Sequence, residues 1–161
     1  MSDQVRIEHS VSFSRAEQAY FVRPQHINSY GRLFGGVLLS WMDELAGIVA
    51  RRHSGMEVTT ASIDRAEFVG PAVLNELIVL EARIVYVGRT SMEIRVDNYT
   101  EDTKGFRSPV TRGYFVMVAV NKDGVPQEVP RLRLETAQQE LEFEMGKRRK
   151  ELRAERRKEG F

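Results

Sequence analysis

The chain has 161 residues, 42% of them apolar, with a net charge of +1. That is enough for one domain with a real core, and it leaves no overall field that would draw nucleic acid or a membrane surface. Cysteine is absent, which excludes thiol nucleophiles, thiolate metal sites and redox pairs and fits a reducing, cytoplasmic setting.

The first ten residues, MSDQVRIEHS, lack the basic-then-apolar order of a secretory leader. No apolar run approaches the roughly 18 residues a membrane helix needs. Residues 10–23 read as a loose first strand ending at Pro24. A turn-rich loop, PQHINSYGRLFGG, follows. A helix is expected from about Gly36 to Arg52. Val37, Leu38, Trp41, Met42, Leu45, Ile48 and Val49 make it apolar around most of its circumference, which implies burial.

Four strand-like runs come next, near 57–69, 76–87, 90–100 and 111–121. Gly70-Pro71, Gly88, Lys104-Gly105 and Asp123-Gly124 punctuate them as turns. No helical pattern interrupts them, so an antiparallel sheet is expected rather than βαβ units. YFVMVAV (114–120) and LIVL (77–80) are unbroken apolar runs, and such strands need cover on both faces. One core helix covers one face. A second copy of the chain is the economical cover for the other, so an obligate homo-oligomer is expected. Residues 135–158 carry a second helical pattern, acidic in its first half and basic in its second, as the helix dipole favours. Its apolar line is thin (Leu141, Met145, Leu152), and it reads as a solvated helix packed by one edge. The chain thus divides into a core, 1–134, and a charged tail, 135–161.

His9, His26 and His53 are scattered without ligand spacing, so no metal site is expected. No GxSxG elbow is present. Any chemistry must therefore run on carboxylates, amides, hydroxyls and backbone. Asp43 interrupts the apolar helix, on a face with Ser40, Ala46, Gly47 and Ala50. Small neighbours leave room for a slim ligand and partly desolvate the carboxylate, as suits a base; a structural ion pair is the alternative reading. Gly35-Gly36 opens the helix, where unpaired amides and the dipole suit an oxygen gaining negative charge. Asn28 offers an amide, or merely an Asx-turn. Gly88-Arg89-Thr90-Ser91 offers an arginine and hydroxyls for a phosphate, or merely a hairpin turn.

Order and motifs together resemble the acyl-CoA thioesterases of the hot-dog fold, in the cytosolic acyl-CoA hydrolase branch. The matching stretches are RPQHINSYGRLFGGVLLSWMDELAGIVARRH (23–53), VTTASIDRAEFVGPA (58–72), VGRTSMEIRV (87–96) and TRGYFVMVAV (111–120). The resemblance implies an α+β fold, a long central helix wrapped by a five- to six-stranded antiparallel sheet. It also implies dimers that assemble into tetramers or hexamers, with active sites between subunits. The family's catalytic acid falls on Asp43, its catalytic asparagine on Asn28 acting from the opposite subunit, and its oxyanion amides on Gly35 and Gly36. Contacts to coenzyme A, which is part of substrate and product and not a cofactor, fall on Ser62 to Phe68, Arg89, Thr90 and Ser91. No role carries over to the tail, whose removal is expected to leave hydrolysis largely intact. The rival readings are a non-catalytic acyl-CoA-binding regulator and an enoyl-CoA hydratase using His26.

Overall fold

A computed structural model describes residues 6–161. The first five residues of the stretch read for a leader lie outside the described residues. Five strands form an antiparallel sheet: β2 (Ala16–Phe21), β3 (Glu57–Phe68), β4 (Leu77–Val87), β5 (Ser91–Glu101) and β6 (Arg107–Val120). Their spatial order is β2-β4-β5-β6-β3, which leaves β2 and β3 as edges. A small parallel pair, β1 (Glu8–Ser10) with β7 (Arg131–Arg133), ties the two ends of the core together.

The expected first strand is split. Val11–Ser14 forms a helical turn, α1, between β1 and β2. Val11 and Ser14 turn inward there, while Phe13 points outward and stacks on His9 at 3.9 Å. Strand β6 begins four residues before the expected 111. Asp102 closes the preceding turn by accepting from the amides of Lys104 and Phe106, and Arg107 then pairs with Glu101 across the ladder.

Helix α2 (Gly35–Ser54) lies on one face of the sheet and buries Leu38, Met42, Leu45, Ala46, Val49, Ala50 and His53. These meet Ile84, Met92, Ile94, Phe115 and Met117 from the strands. A fully buried side chain of this size contributes about 1.5–3 kcal/mol, so this layer is the main source of stability. Gly55, at φ +69°, ends the helix in the left-handed conformation and returns its amide to the Arg51 carbonyl. The far side of α2 is not covered by this chain. Ser40 and Glu44 are exposed, Asp43 and Gly47 are half-buried, and a side chain built on Gly47 would meet nothing within 4 Å. The sheet therefore wraps one side of the helix, where the apolar pattern had implied burial around most of its circumference.

The opposite face of the sheet is where the sequence reading needs correction. Helix α3 (Ala137–Glu159) packs there, and ion pairs hold it. Near its start, Glu142 accepts from Arg83 on β4 at 2.5 Å and from Arg95 on β5 at 2.9 Å. Further on the signs reverse. Arg149 and Arg153 donate to Glu93 of β5, and Arg153 and Arg156 donate to Asp64 of β3. Between the two zones, Gly146 makes the closest approach; a Cβ there would lie 2.6 Å from Tyr86 Cβ. The thin apolar line faces away, with Leu141, Met145 and Leu152 all exposed. The tail was expected to be a solvated helix packed by one edge, with a second copy covering this face. The tail itself covers part of it because β5 offers Glu93, Arg95 and Asp97 on that side instead of an apolar stripe.

Candidate active site

Asp43 lies in the third turn of α2, on the helix's open side. Thr60 Oγ1 donates to Asp43 Oδ1 at 2.8 Å and sits 3.4 Å from Met117 Sδ. This hydroxyl is the partner the sequence reading missed. VTTASID carries two adjacent threonines, and only the strand register decides which one faces the helix. Thr60 pairs with Met117, whose side chain is in the core, and the ladder is then irregular between Thr60 and Ser62. Bulges re-aim side chains. Past this one, Ser62 and Asp64 face α3 instead of α2. One strand thus serves both faces of the sheet. No cation pairs with Asp43 among the described residues, so the structural ion-pair reading of this acid has no support.

Phe34 caps α2 without a side-chain hydrogen bond. The amides of Val37 and Leu38 turn back to the Phe34 carbonyl at 3.0 and 3.2 Å, whereas those of Gly35 and Gly36 have no backbone acceptor among the described residues. The Phe68 ring lies against Gly35, 3.3 Å from where a Cβ would be. Phe68 therefore belongs to the helix start and not to the groove that holds Ser62 and Ser91.

Asn28 sits in the loop before α2. Its Oδ1 accepts from the amides of Tyr30 at 2.9 Å and Arg32 at 3.2 Å. The Asx-turn is real, and it does not compete with a functional role, because fixing Oδ1 leaves the Nδ2 amide to donate outward. Asn28 shares a cavity of about 360 Å3 with Leu38 and Phe68 beside the helix start. Asp43 is not among its lining residues. Eight residues of helix separate Gly35 from Asp43, about 12 Å along the axis. Within one chain the structure brings Asn28, Gly35, Gly36 and Phe68 together at one end, and Asp43 and Thr60 at another.

Ser62 and Ser91 line a second groove, of about 520 Å3, roofed by the end of α3. Arg89 is exposed in the adjoining turn and Thr90 half-buried; their carbonyls accept from Val129 and Ala119. His26 is not poised for acid–base work. Its Nδ1 accepts from the Arg23 amide at 3.0 Å, and its ring stands edge-on to Trp41. His53 is buried, with one ring nitrogen 3.0 Å from the Pro130 carbonyl. Burial lowers its pKa below the ordinary value. No cluster of three potential metal ligands occurs among the described residues, and no described helix is long and apolar enough to cross a membrane.

Residues 30–107 match the family model described as thioesterase superfamily. An uncharacterized acyl-CoA thioester hydrolase of Bacillus subtilis, YkhA, is 35% identical over 119 residues, 73% of this chain and 69% of that protein. The cytosolic acyl coenzyme A thioester hydrolase of mouse is 34% identical over 143 residues, but the chain spans only 38% of its length. Among solved structures, an apo-hexameric acyl-CoA thioesterase superposes with a TM-score of 0.89 at 34% identity, covering 93% of this chain and 97% of the other. The acyl-CoA hydrolase of Staphylococcus aureus, solved with butyryl coenzyme A and coenzyme A, gives 0.89 at 31% identity, covering 94% and 93%. That enzyme has also been solved with alanine replacing a single aspartate, asparagine or threonine.

Proposed function

The chain belongs to the thioesterase superfamily, in its acyl-CoA thioester hydrolase family with the hot-dog fold, and from that premise we propose that it hydrolyses acyl-CoA to a free carboxylic acid and coenzyme A as a homo-oligomer. The observation that carries this reading is the division of the site. A base and its hydroxyl partner, Asp43 and Thr60, lie on the uncovered side of α2, while two unclaimed amides lie about 12 Å away along the axis and Asn28 lines the cavity beside them. A thioester carbonyl cannot touch both within one chain. A second copy, packed on the uncovered side of α2 by a two-fold axis, presents its helix start to this Asp43 and receives this helix start in return. The hexameric relative supports such an assembly.

In that arrangement the Gly35 and Gly36 amides of one subunit hold the carbonyl oxygen as it becomes an oxyanion. Losing one such donor costs about 3–4 kcal/mol of transition-state stabilisation. Asn28 Nδ2 donates to the same carbonyl or to the attacking water. Asp43 of the other subunit removes a proton from that water, or attacks the carbonyl to form an anhydride that water then opens. Thr60 holds one carboxylate oxygen at 2.8 Å, so the other is left for the reaction. The coenzyme A portion runs toward Ser62, Arg89, Thr90 and Ser91.

Release of thiol from acyl-CoAs of several chain lengths tests the activity directly, because a protein without cysteine contributes no signal of its own. No release from any of them would leave the binding-regulator reading in its place. Mixing inactive Asp43→Asn and Asn28→Ala subunits tests the shared site. Half of randomly formed dimers are mixed, and one of their two sites is intact, so about a quarter of wild-type activity should return. A mixture with demonstrated subunit exchange and no recovery would place both residues in one subunit.

A further inference from the structure

The groove beside Ser62 and Ser91 takes four cations from the tail: Lys150, Arg153, Arg156 and Arg157. Two are committed to structure, Arg153 between Glu93 and Asp64 and Arg156 on Asp64. Lys150 and Arg157 have no carboxylate partner among the described residues. The one acid lining the groove, Asp64, is held by two arginines, and its pKa stays low despite burial because both donate to it. The positive charge of Lys150 and Arg157 is therefore unbalanced.

Lys150 is also aimed. A Cβ built on Gly88 would come within 2.5 Å of Lys150 Nζ and 2.9 Å of Ser91 Oγ. An ammonium and a hydroxyl thus converge above a residue with no side chain. A point cation and a hydroxyl donor suit a phosphate oxygen. Beside them Val116, Val118, Ile63 and Phe161 give the groove an apolar wall suited to a flat ring.

We propose that Lys150 and Arg157 of α3, together with Ser91, hold the phosphates of the adenosine 3′,5′-bisphosphate end of the acyl-CoA, so that the tail is part of the substrate site. This rests on the acyl-CoA reading and deepens it, and it reverses the expectation that the tail is dispensable. Neither cation lines the cavity at the helix start or touches the Asp43–Thr60 pair. They act on binding and leave the chemical step alone.

The experiment compares wild type with Lys150→Gln, Arg157→Gln and the conservative Lys150→Arg. Lys147→Gln makes the same charge change outside the groove. Calorimetric titration with adenosine 3′,5′-bisphosphate should show affinity about tenfold weaker in each Gln variant, retained in Lys150→Arg and unchanged in Lys147→Gln. In thiol release, KM for acyl-CoA should rise by a similar factor with kcat nearly constant, while hydrolysis of the matching acyl-pantetheine, which lacks the nucleotide, should not change. Equal affinity for the bisphosphate in wild type and both Gln variants overturns the proposal, as does an equal loss in Lys147→Gln. Bisphosphate binding that depends on Lys150 and Arg157 in a protein that releases no thiol would keep the phosphate site and remove the hydrolase reading.

Discussion

Helices α2 and α3 press on opposite faces of one sheet and are held there by opposite chemistry. On the α2 side, Leu38, Met42, Leu45 and Val49 are almost wholly buried against aliphatic and aromatic partners. On the α3 side the charged groups removed from water are Glu93, Glu142 and Asp97, each ringed by arginines, beside the ring contact of Phe143 with Tyr86. Apolar burial is non-directional and tolerates small shifts. A buried ion pair is stabilising only while its geometry holds, since a carboxylate left without its guanidinium keeps the full desolvation penalty. The first interface fixes that the helix is there, and the second fixes its register along the sheet. Moving α3 by one residue would set Glu142 and Arg149 off their partners together.

The sharpest break should come on the apolar side. Leu45→Ala removes a fully buried side chain and should lower global stability by about 2–5 kcal/mol in urea denaturation, with little dependence on salt. Arg153→Met, which strips a shared partner from Glu93 and Asp64, should cost somewhat less than the about 3–5 kcal/mol of a broken enclosed pair, because α3 can lift and admit water. Its signature should be local, with faster amide exchange in α3 and unchanged protection in α2. Gly146→Ala gains about 1 kcal/mol of helix propensity but collides with Tyr86, an overpacking that costs about 1–3 kcal/mol. The net should be a small loss, read as increased protease sensitivity of the tail.

Acid should separate the faces as well. Burial holds the His53 pKa below its ordinary value of 6.5. The unfolded chain therefore binds the proton more readily, and stability present above about pH 6.5 should fall as pH drops through that region. For Glu142 burial works upward, but the hydrogen bond and charge of Arg83 outweigh it and hold the pKa below 4.5. Its contribution is complete at neutral pH and should disappear only in stronger acid. A thermal melt series should show a loss as pH falls below 6.5 in the wild type that a His53→Gln variant lacks. The smallest effect belongs to Arg148→Ala. Its pair with Glu151 is exposed, and the change should stay within about 0.5 kcal/mol.

The same contrast explains what the sequence made legible. The 3.6-residue periodicity of Leu38, Met42, Leu45 and Val49 marks α2, and turn residues such as Gly88 mark the strand ends, because apolar burial and backbone freedom leave local traces. Asp43 stands out as a charge inside such a pattern. The docking of α3 leaves no local trace. Glu142 meets Arg83 and Arg95 across about 50 residues of chain, and nothing near any of them in sequence marks the pairing. Leu141, Met145 and Leu152 suggested the wrong edge, because apolar residues were taken as the packing side. Thr60 was hidden for a related reason, since the irregularity in β3 decides which side chains face α2. Pairing register is a long-range property.

The ionic seating of α3 also bears on the calorimetry of the molecule. Exposing apolar surface raises heat capacity, and exposing polar surface lowers it. Lifting α3 alone hydrates guanidinium and carboxylate groups along with the Phe143–Tyr86 contact, so that opening should carry a small heat-capacity increment, whereas full unfolding through α2 should carry the large positive value of an ordinary core. Cooling weakens apolar burial and leaves the charged seat largely untouched, while the penalty for desolvating ions shrinks on warming. The two faces of the sheet should therefore respond differently to temperature, with the seating of α3 losing less on cooling than the packing of α2.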